Sequence, residues 1–341
     1  MKKIILYTQR FDEQDSNLHV HVRWATTFAE CVDQVVVIAQ SVGQVSIPSN
    51  VTVHSLGKDH GATRWQQMRA FFHVICRVLP GADAFYALMI PRAIIFAAPL
   101  AWWNRVPMFL WYTSRHDTCE LRLAYFFVKR IFTASSESCP IRRARVVSVG
   151  HAIDTQWFAP VDPTIRIPYR MVSVSRITSS KGIDRLISFV GEIHAQLPDA
   201  TFEIVGGPIT DEDRLYVEQC QERIRSARLE SSVWIRGPLV GEPLREAYQR
   251  ATLFLHDGQT GGIDKAVLEA MACGTPVLVS NPVYISVVPT SCFLQPGSSF
   301  VQQAIALLQS PPSSTLLHEM VATHHELRST LHRMISSIEQ I

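Results

Sequence analysis

The sequence predicts an α/β protein built from two doubly wound parallel-sheet domains, and three observations carry that expectation. Its 341 residues fit two domains at roughly 100 to 200 residues each. Short runs rich in Val, Ile and Phe alternate with longer stretches of helical period, the pattern of a parallel sheet covered by helices on both faces. The segment 158–169, FAPVDPTIRIPY, holds three prolines and no helical period, so it reads as the join between two such units. The expected domains are 1–160 and 161–312, followed by a helical tail at 313–341.

In the first domain the strand candidates are 3–7, 34–39, 51–55, 84–88, 107–112, 131–135 and 146–149. Segments 18–31, 62–79, 92–103 and 118–130 read as helices between them. The second domain repeats the alternation, with strands at 171–175, 201–205, 233–236, 253–256 and 276–279. Its helices are expected at 182–197, 211–227, 243–251, 265–273 and 301–309. In the first of these, Ile183, Leu186, Ile187, Val190, Ile193 and Leu197 recur at helical spacing and define one buried face. Beyond Pro311 and Pro312 a helical pattern resumes from residue 316, with Leu327, Leu331, Met334 and Ile338 on one stripe. This tail can cap either domain, and packing back on the first is the expectation.

Composition narrows the function classes. Apolar residues make up 47% and charged ones 18%, enough for sizeable cores and too little charge for a disordered chain. Lys and Arg number 32 against 30 Asp and Glu, so the formal charge of +2 exerts no overall pull toward nucleic acid or an anionic membrane. Any anion site must be local. Seven scattered cysteines without a CxxC pair argue against a disulfide framework or a zinc knuckle, and read as reduced core thiols in a cytoplasmic protein. Only four apolar residues follow Met1-Lys2-Lys3 before polar ones return, so the run reads as a first strand rather than a signal peptide. The greasiest stretch, 84–103, is broken by Pro91 and Arg92, and its uninterrupted part is shorter than the roughly 20 residues a spanning helix needs.

Three stretches can carry chemistry. In 251–280 a strand ends near Asp257, a loop with Gly258, Gly261 and Gly262 follows, and a helix opens near Asp264 and closes at Gly274. Glycines before a helix start expose N–H groups, so Gly261 and Gly262 are placed to hold a diphosphate. Glu269, inside that helix, either binds a sugar hydroxyl pair or pairs with Lys265 four residues earlier. In 171–186 a strand delivers Arg176 and Lys181 to the edge where open α/β sheets bind ligands. They read either as a pyrophosphate clamp or as two solvated loop charges. The third stretch, 203–208, runs a strand into Gly206 and Gly207, where a ligand can approach the backbone. It is neither a GxGxxG fingerprint nor a P-loop, so a dinucleotide-dependent oxidoreductase gains no support. The run Asp211-Glu212-Asp213 reads as a helix start capped by Thr210 rather than a metal site, and no metal is expected.

Together SRITSSKGIDRLI, EIVGG and AVLEAMACGTPVLVS resemble the donor domain of retaining GT-B glycosyltransferases of family 4, the glycosyl transferases group 1 type. WYTSRHD, RIFTASSES and VGHAIDTQWFAP extend the resemblance into the first domain. It implies two Rossmann-like domains with an interdomain cleft, and transfer of a sugar from a nucleotide-diphosphate sugar to an acceptor hydroxyl with retention and without a metal. No cofactor is implied beyond that donor. Position by position, Arg176 and Lys181 match the diphosphate clamp, Glu269 the ribose carboxylate, and Gly206, Gly207, Gly261 and Gly262 the donor loops. Val233 to Gly237, with Arg236, match the strand and turn where the nucleobase rests. One departure stands out: Gly261 occupies the place of the motif's first Glu, eight residues before Glu269. Either Asp264 or Lys265 contacts the sugar in its stead, or donor chemistry is weakened.

The first domain offers fewer signals. Asn17 and His19 are cleft candidates in the loop after the first strand, His116 is a candidate near the transferred sugar, and His151 stands where the family commonly has Asn. The expected partners are a nucleotide-sugar donor and a saccharide or lipid-linked acceptor, with no nucleic acid. The apolar 84–103 region reads first as a buried strand and helix, with peripheral contact at the inner face of a membrane as the alternative. A nucleotide-sugar-binding accessory protein of the same fold is the alternative function.

Overall fold

Ile4, Ile5, Leu6 and Tyr7 are buried in succession because a central strand of a parallel sheet is covered on both faces. In the computed structural model, which describes residues 2–15, 17–259 and 261–339, this strand, β1 (Lys3–Phe11), lies in the interior of the first sheet. Residues 1, 16, 260, 340 and 341 fall within the expected first domain, its first loop, the glycine loop and the tail, and lie outside the described residues. The other strands are β2 (Gln34–Val42), β3 (Val51–Ser55), β4 (Ala84–Leu88), β5 (Met108–Trp111), β6 (Arg130–Thr133) and β7 (Val146–Ser148). Their order is β3-β2-β1-β4-β5-β6-β7, with Ile4 in register with Val35 on one side and Ala84 on the other. Helices α1 (Val20–Ala29), α2 (Arg64–Val78), α3 (Pro91–Trp103) and α4 (Cys119–Phe127) connect them.

The second sheet is built from β8 (Arg170–Val174), β9 (Thr201–Val205), β10 (Val233–Gly237), β11 (Leu253–His256) and β12 (Val277–Val279). Its order among the described residues is β10-β9-β8-β11-β12, all parallel. The order reverses direction between β8 and β11, the topological switch point. The connecting helices α5 (Ile183–Gln196), α6 (Asp211–Ser226), α7 (Gly241–Arg250) and α8 (Lys265–Ala272) are joined by α9 (Phe300–Gln309) and α10 (Ser314–His325). The final helix is α11 (Leu327–Glu339).

The units divide differently from the sequence expectation. One comprises Met1–Ala152 and Leu327–Ile341, the other Ile153–Glu326. The proline-rich segment is packed into the second unit rather than lying between the two. Phe158 meets Tyr248 edge-on, and the half-buried Arg166 donates to the carbonyls of Ala251 at 2.7 Å and Gly274 at 2.8 Å. The tail is not one element but two. At Glu326 the backbone is extended, and Ile153 N–H donates to His325 O at 2.7 Å. Before that break, Leu317 and Val321 enter the second core; after it, Leu327, Leu331 and Met334 enter the first. Cysteines 139, 220, 273 and 292 are buried free thiols, but Cys76 and Cys119 are exposed and Cys31 is half-buried, so the core reading holds for four of seven. Among the described residues, no helix is long and apolar enough to cross a membrane.

Candidate functional site

The loops after β8 and β11 leave neighbouring strands on either side of the switch point, where ligands of open α/β sheets bind. After β8 the chain exposes Arg176, whose guanidinium makes no hydrogen bond or ion pair among the described residues. A short turn, Ser179–Lys181, then ends at Gly182 with φ +65°, where a Cβ would stand 2.9 Å from the carbonyl oxygen of Asp257. Glycine is required there by both the backbone conformation and the close approach of the next loop.

Lys181 reaches across to that loop. Its Nζ lies 2.6 Å from Asp264 Oδ2, and His256 Nε2 lies 3.1 Å from the same oxygen. Burial alone would raise the pKa of Asp264, but the hydrogen bonds and charges of His256 and Lys181 outweigh it and hold the carboxyl well below its ordinary range. Asp264 precedes α8, yet it makes no side-chain cap there, because its carboxylate is taken by Lys181 and His256. In the first turn of α8 the N–H of Val267 donates to Asp264 O at 3.2 Å, which leaves those of Lys265 and Ala266 open to an external acceptor. The backbone N–H of Asp264 donates to Tyr284 Oη at 2.8 Å, which anchors the loop.

Lys265 opens α8 half-buried, with no hydrogen bond or ion pair among the described residues. Burial pushes its ammonium pKa down, and the Glu269 carboxylate opposes that. Glu269 is not its ion-pair partner within 4.0 Å; instead Glu269 Oε2 accepts from Tyr248 Oη at 2.8 Å. Of the two roles left open for Glu269 in the sequence, the pairing with Lys265 is therefore not formed.

A second ion pair fixes the frame around these groups. Arg185 Nε lies 2.5 Å from Asp257 Oδ2 and its Nη2 donates to Asp257 O at 2.9 Å, while Ser280 Oγ donates to Asp257 Oδ1 at 2.6 Å. Asp257 thus ties the start of α5 to the end of β12. Gly206, with φ +140°, has no room for a side chain, since a Cβ would overlap the carbonyl oxygen of Ser175. Gly207 O accepts the N–H of Ile177 at 3.1 Å, joining the loops after β8 and β9.

With this geometry in view, residues 168–310 match the family model described as Glycosyl transferases group 1. The chain carries a group 1 glycosyltransferase domain. It is 28% identical over 155 residues to mannosylfructose-phosphate synthase of Agrobacterium fabrum, covering 42% of this chain and 34% of that one. It is 29% identical over 214 residues to one of the subunits of human phosphatidylinositol N-acetylglucosaminyltransferase, covering 58% of this chain and 43% of that one. The matched stretch thus spans less than half the length of either relative. The structure of Anabaena HepE in complex with UDP and glucose superposes with a TM-score of 0.78 over 100% of both chains at 16% identity, a likeness of fold.

Within the group 1 domain the structure gathers Lys181, Asp264 and Lys265, with Glu269 one turn further along α8. Gly258 abuts Lys181, since a Cβ on it would lie 3.6 Å from Lys181 Cδ. Arg236 is not part of this gathering. Its Nε lies 2.7 Å from Glu203 Oε1 on β9, and Arg170 holds the other carboxylate oxygen, so its guanidinium serves a buried acid beside a separate cavity of about 350 Å³. The other four candidates lie in the first unit. Asn17 is exposed, His19 Nδ1 lies 2.9 Å from Asp15 O, His116 is exposed at the end of a turn where its carbonyl accepts from Tyr112 Oη, and His151 is buried. Sequence reasoning missed His256, Asp257, Arg185, Tyr248 and Tyr284. Arg185 carried a signal, four residues after Lys181 on the opening turn of α5; the tyrosines carried none, because buried phenols read as core.

Proposed function

We propose that the protein transfers a sugar from a nucleotide-diphosphate sugar to an acceptor hydroxyl of a saccharide or lipid-linked saccharide, with retention and without a metal. The observation that carries the reading is the clustering of Lys181, Lys265 and the uncapped start of α8 around the glycine loop after β11. These groups supply positive potential where a departing diphosphate gathers charge, and Arg176 is free to add a planar fork. Lys181 keeps two of its three donors for phosphate oxygens while Asp264 holds the third. Glu269 has Oε1 left to accept from ribose hydroxyls while Tyr248 orients Oε2. In the transfer itself the acceptor oxygen bonds to the sugar C1 as the C1–phosphate oxygen bond breaks on the same face. The hydroxyl proton passes to the departing phosphate oxygen. The similarity to a synthase and an N-acetylglucosaminyltransferase, together with the UDP bound by HepE, supports this class.

The test is a thermal-shift screen with UDP, GDP, ADP and their sugars, followed by transfer assays with the donor that raises the melting temperature. Lys181→Ala is expected to abolish most transfer while the folded domain persists, since Asp264 keeps His256. Unchanged transfer by that variant at saturating donor would refute the assignment. One observation favours a second reading, a nucleotide-sugar-binding protein with weak or no transfer. Gly261, with φ +101° and open space around it, puts no carboxylate beside the sugar, and Asp264 is already bound to two partners. A donor that binds but is neither hydrolysed nor transferred across saccharide and lipid-linked acceptors would establish that reading.

A further inference from the structure

The apolar 84–103 segment divides in the structure. Its strand, β4, is buried throughout, and α3 buries Ala93, Ile94, Ala97, Ala98 and Ala101 against the sheet. At its C-terminal end, however, Trp102 and Trp103 are each 81% exposed. Helix α4 packs beside α3 and adds Phe126 at 69% and Phe127 at 44% exposure. These four rings border an open cavity of about 810 Å³ whose rim also carries Arg105 and Lys129. Phe126 is shared with a second cavity of about 410 Å³, whose wall adds Arg122, Arg142 and Arg143. An aromatic centre is therefore flanked on both sides by cations.

The local charge adds to this. Residues 102–145 hold eight Arg or Lys against three Asp or Glu, an excess of five in a chain whose total is only +2. Asp117 also lines the second cavity and pairs with Arg122, so the cations there without an ion pair among the described residues are Arg142 and Arg143. We infer that this face of the first unit docks on a lipid bilayer containing anionic headgroups. Indole and phenyl rings partition to the interfacial layer of a membrane, and a basic rim is drawn to anionic lipid. Attachment is peripheral, since no described helix is built to span. A second copy of the chain is a poorer occupant, because a two-fold contact through this face sets one basic rim against another. Docking of this face does not depend on sugar transfer.

The experiment is flotation of the full chain with vesicles of phosphatidylcholine alone and of phosphatidylcholine mixed with phosphatidylglycerol. Binding is expected only to the mixed vesicles and is expected to weaken in about 1 M salt, where the Debye length is ~3 Å. Trp102→Ser with Trp103→Ser, and separately Lys129→Glu with Arg143→Glu, should each lower that binding about tenfold with the far-ultraviolet circular dichroism unchanged. All of these side chains are exposed, and the charge pair decides the matter if the tryptophan pair misfolds. Failure of the parent protein to float with mixed vesicles would overturn the inference. So would equal flotation by parent and both variants, or a dimer in solution that the tryptophan variant dissolves without any vesicle binding.

Discussion

A half-buried ammonium with no partner inside a domain is a burden on the fold unless a ligand supplies the counter-charge. Lys265 is in that position at the start of α8, with its pKa pushed down by burial and no ion pair to Glu269 among the described residues. Replacing it by Met keeps the length of the side chain and removes the charge. Lys265→Met is therefore expected to unfold in urea within about 1 kcal/mol of the parent or at higher stability. Its affinity for a nucleoside diphosphate should meanwhile fall about tenfold or more by isothermal titration calorimetry. Loss of stability with unchanged ligand affinity would show Lys265 to be structural. At this scale the sequence was most legible for placement: Arg176 and Lys181 fall on the expected loop after β8 and Glu269 inside α8, elements whose ends are marked by glycines. It was least legible for His256, whose contact with Asp264 forms only because the loop after β11 folds back over the end of its own strand.

Elements were read well wherever local chemistry agreed with burial, and α6 is the clearest case. Thr210 Oγ1 accepts the N–H of Asp213 at 3.1 Å, and Asp213 Oδ2 accepts the N–H of Thr210 at 3.0 Å and of Ile209 at 3.1 Å. Asp213 of the acidic run thus closes a capping box with Thr210, as the spacing suggested. The N–H of Thr210 brings the Asp213 pKa down to about 2, against the upward push of burial and with help from Ile209. Because the folded pKa lies below the ordinary value of 3.8, this carboxylate stabilises the domain above about pH 4. That contribution is lost as pH falls toward 2. Asp213→Asn should accordingly be less stable than the parent at pH 7, by about 1 kcal/mol in urea melts, with the difference closing between pH 4 and pH 2. A gap that stays constant down to pH 2 would assign the loss to packing instead. Element ends were less legible than element types, as at β1, which runs four residues beyond the expected stop because Thr8 and Phe11 are buried too.

At the scale of the whole chain, the path crosses from the first unit to the second after Ala152 and crosses back after Glu326. A parsing by prolines places the first crossing too late, because Phe158 and Arg166 are bound by α7 and the end of α8 rather than by solvent. The same parsing treats the tail as one helix, since nothing in the period of its residues marks Glu326 as extended. The stripe of Leu327, Leu331, Met334 and Ile338 did mark where the second crossing ends. These residues complete a core that begins with Ile4 and Leu6, and Tyr86 Oη donates to Met334 O at 3.1 Å while Thr330 Oγ1 donates to Val149 O at 3.0 Å. The last helix therefore belongs energetically to the first unit. Leu331→Ala should destabilise that unit by about 2–5 kcal/mol, the range for emptying a buried leucine site. Hydrogen exchange should show the loss as faster exchange of the amides of β1, β4 and α1, which share its core. The amides of β8 and β11, whose side chains pack in a separate core, should keep their rates under conditions where exchange is local. If the protection of β8 and β11 falls as far as that of β1 and β4, the two cores unfold as one, and the assignment of α11 to the first alone is wrong.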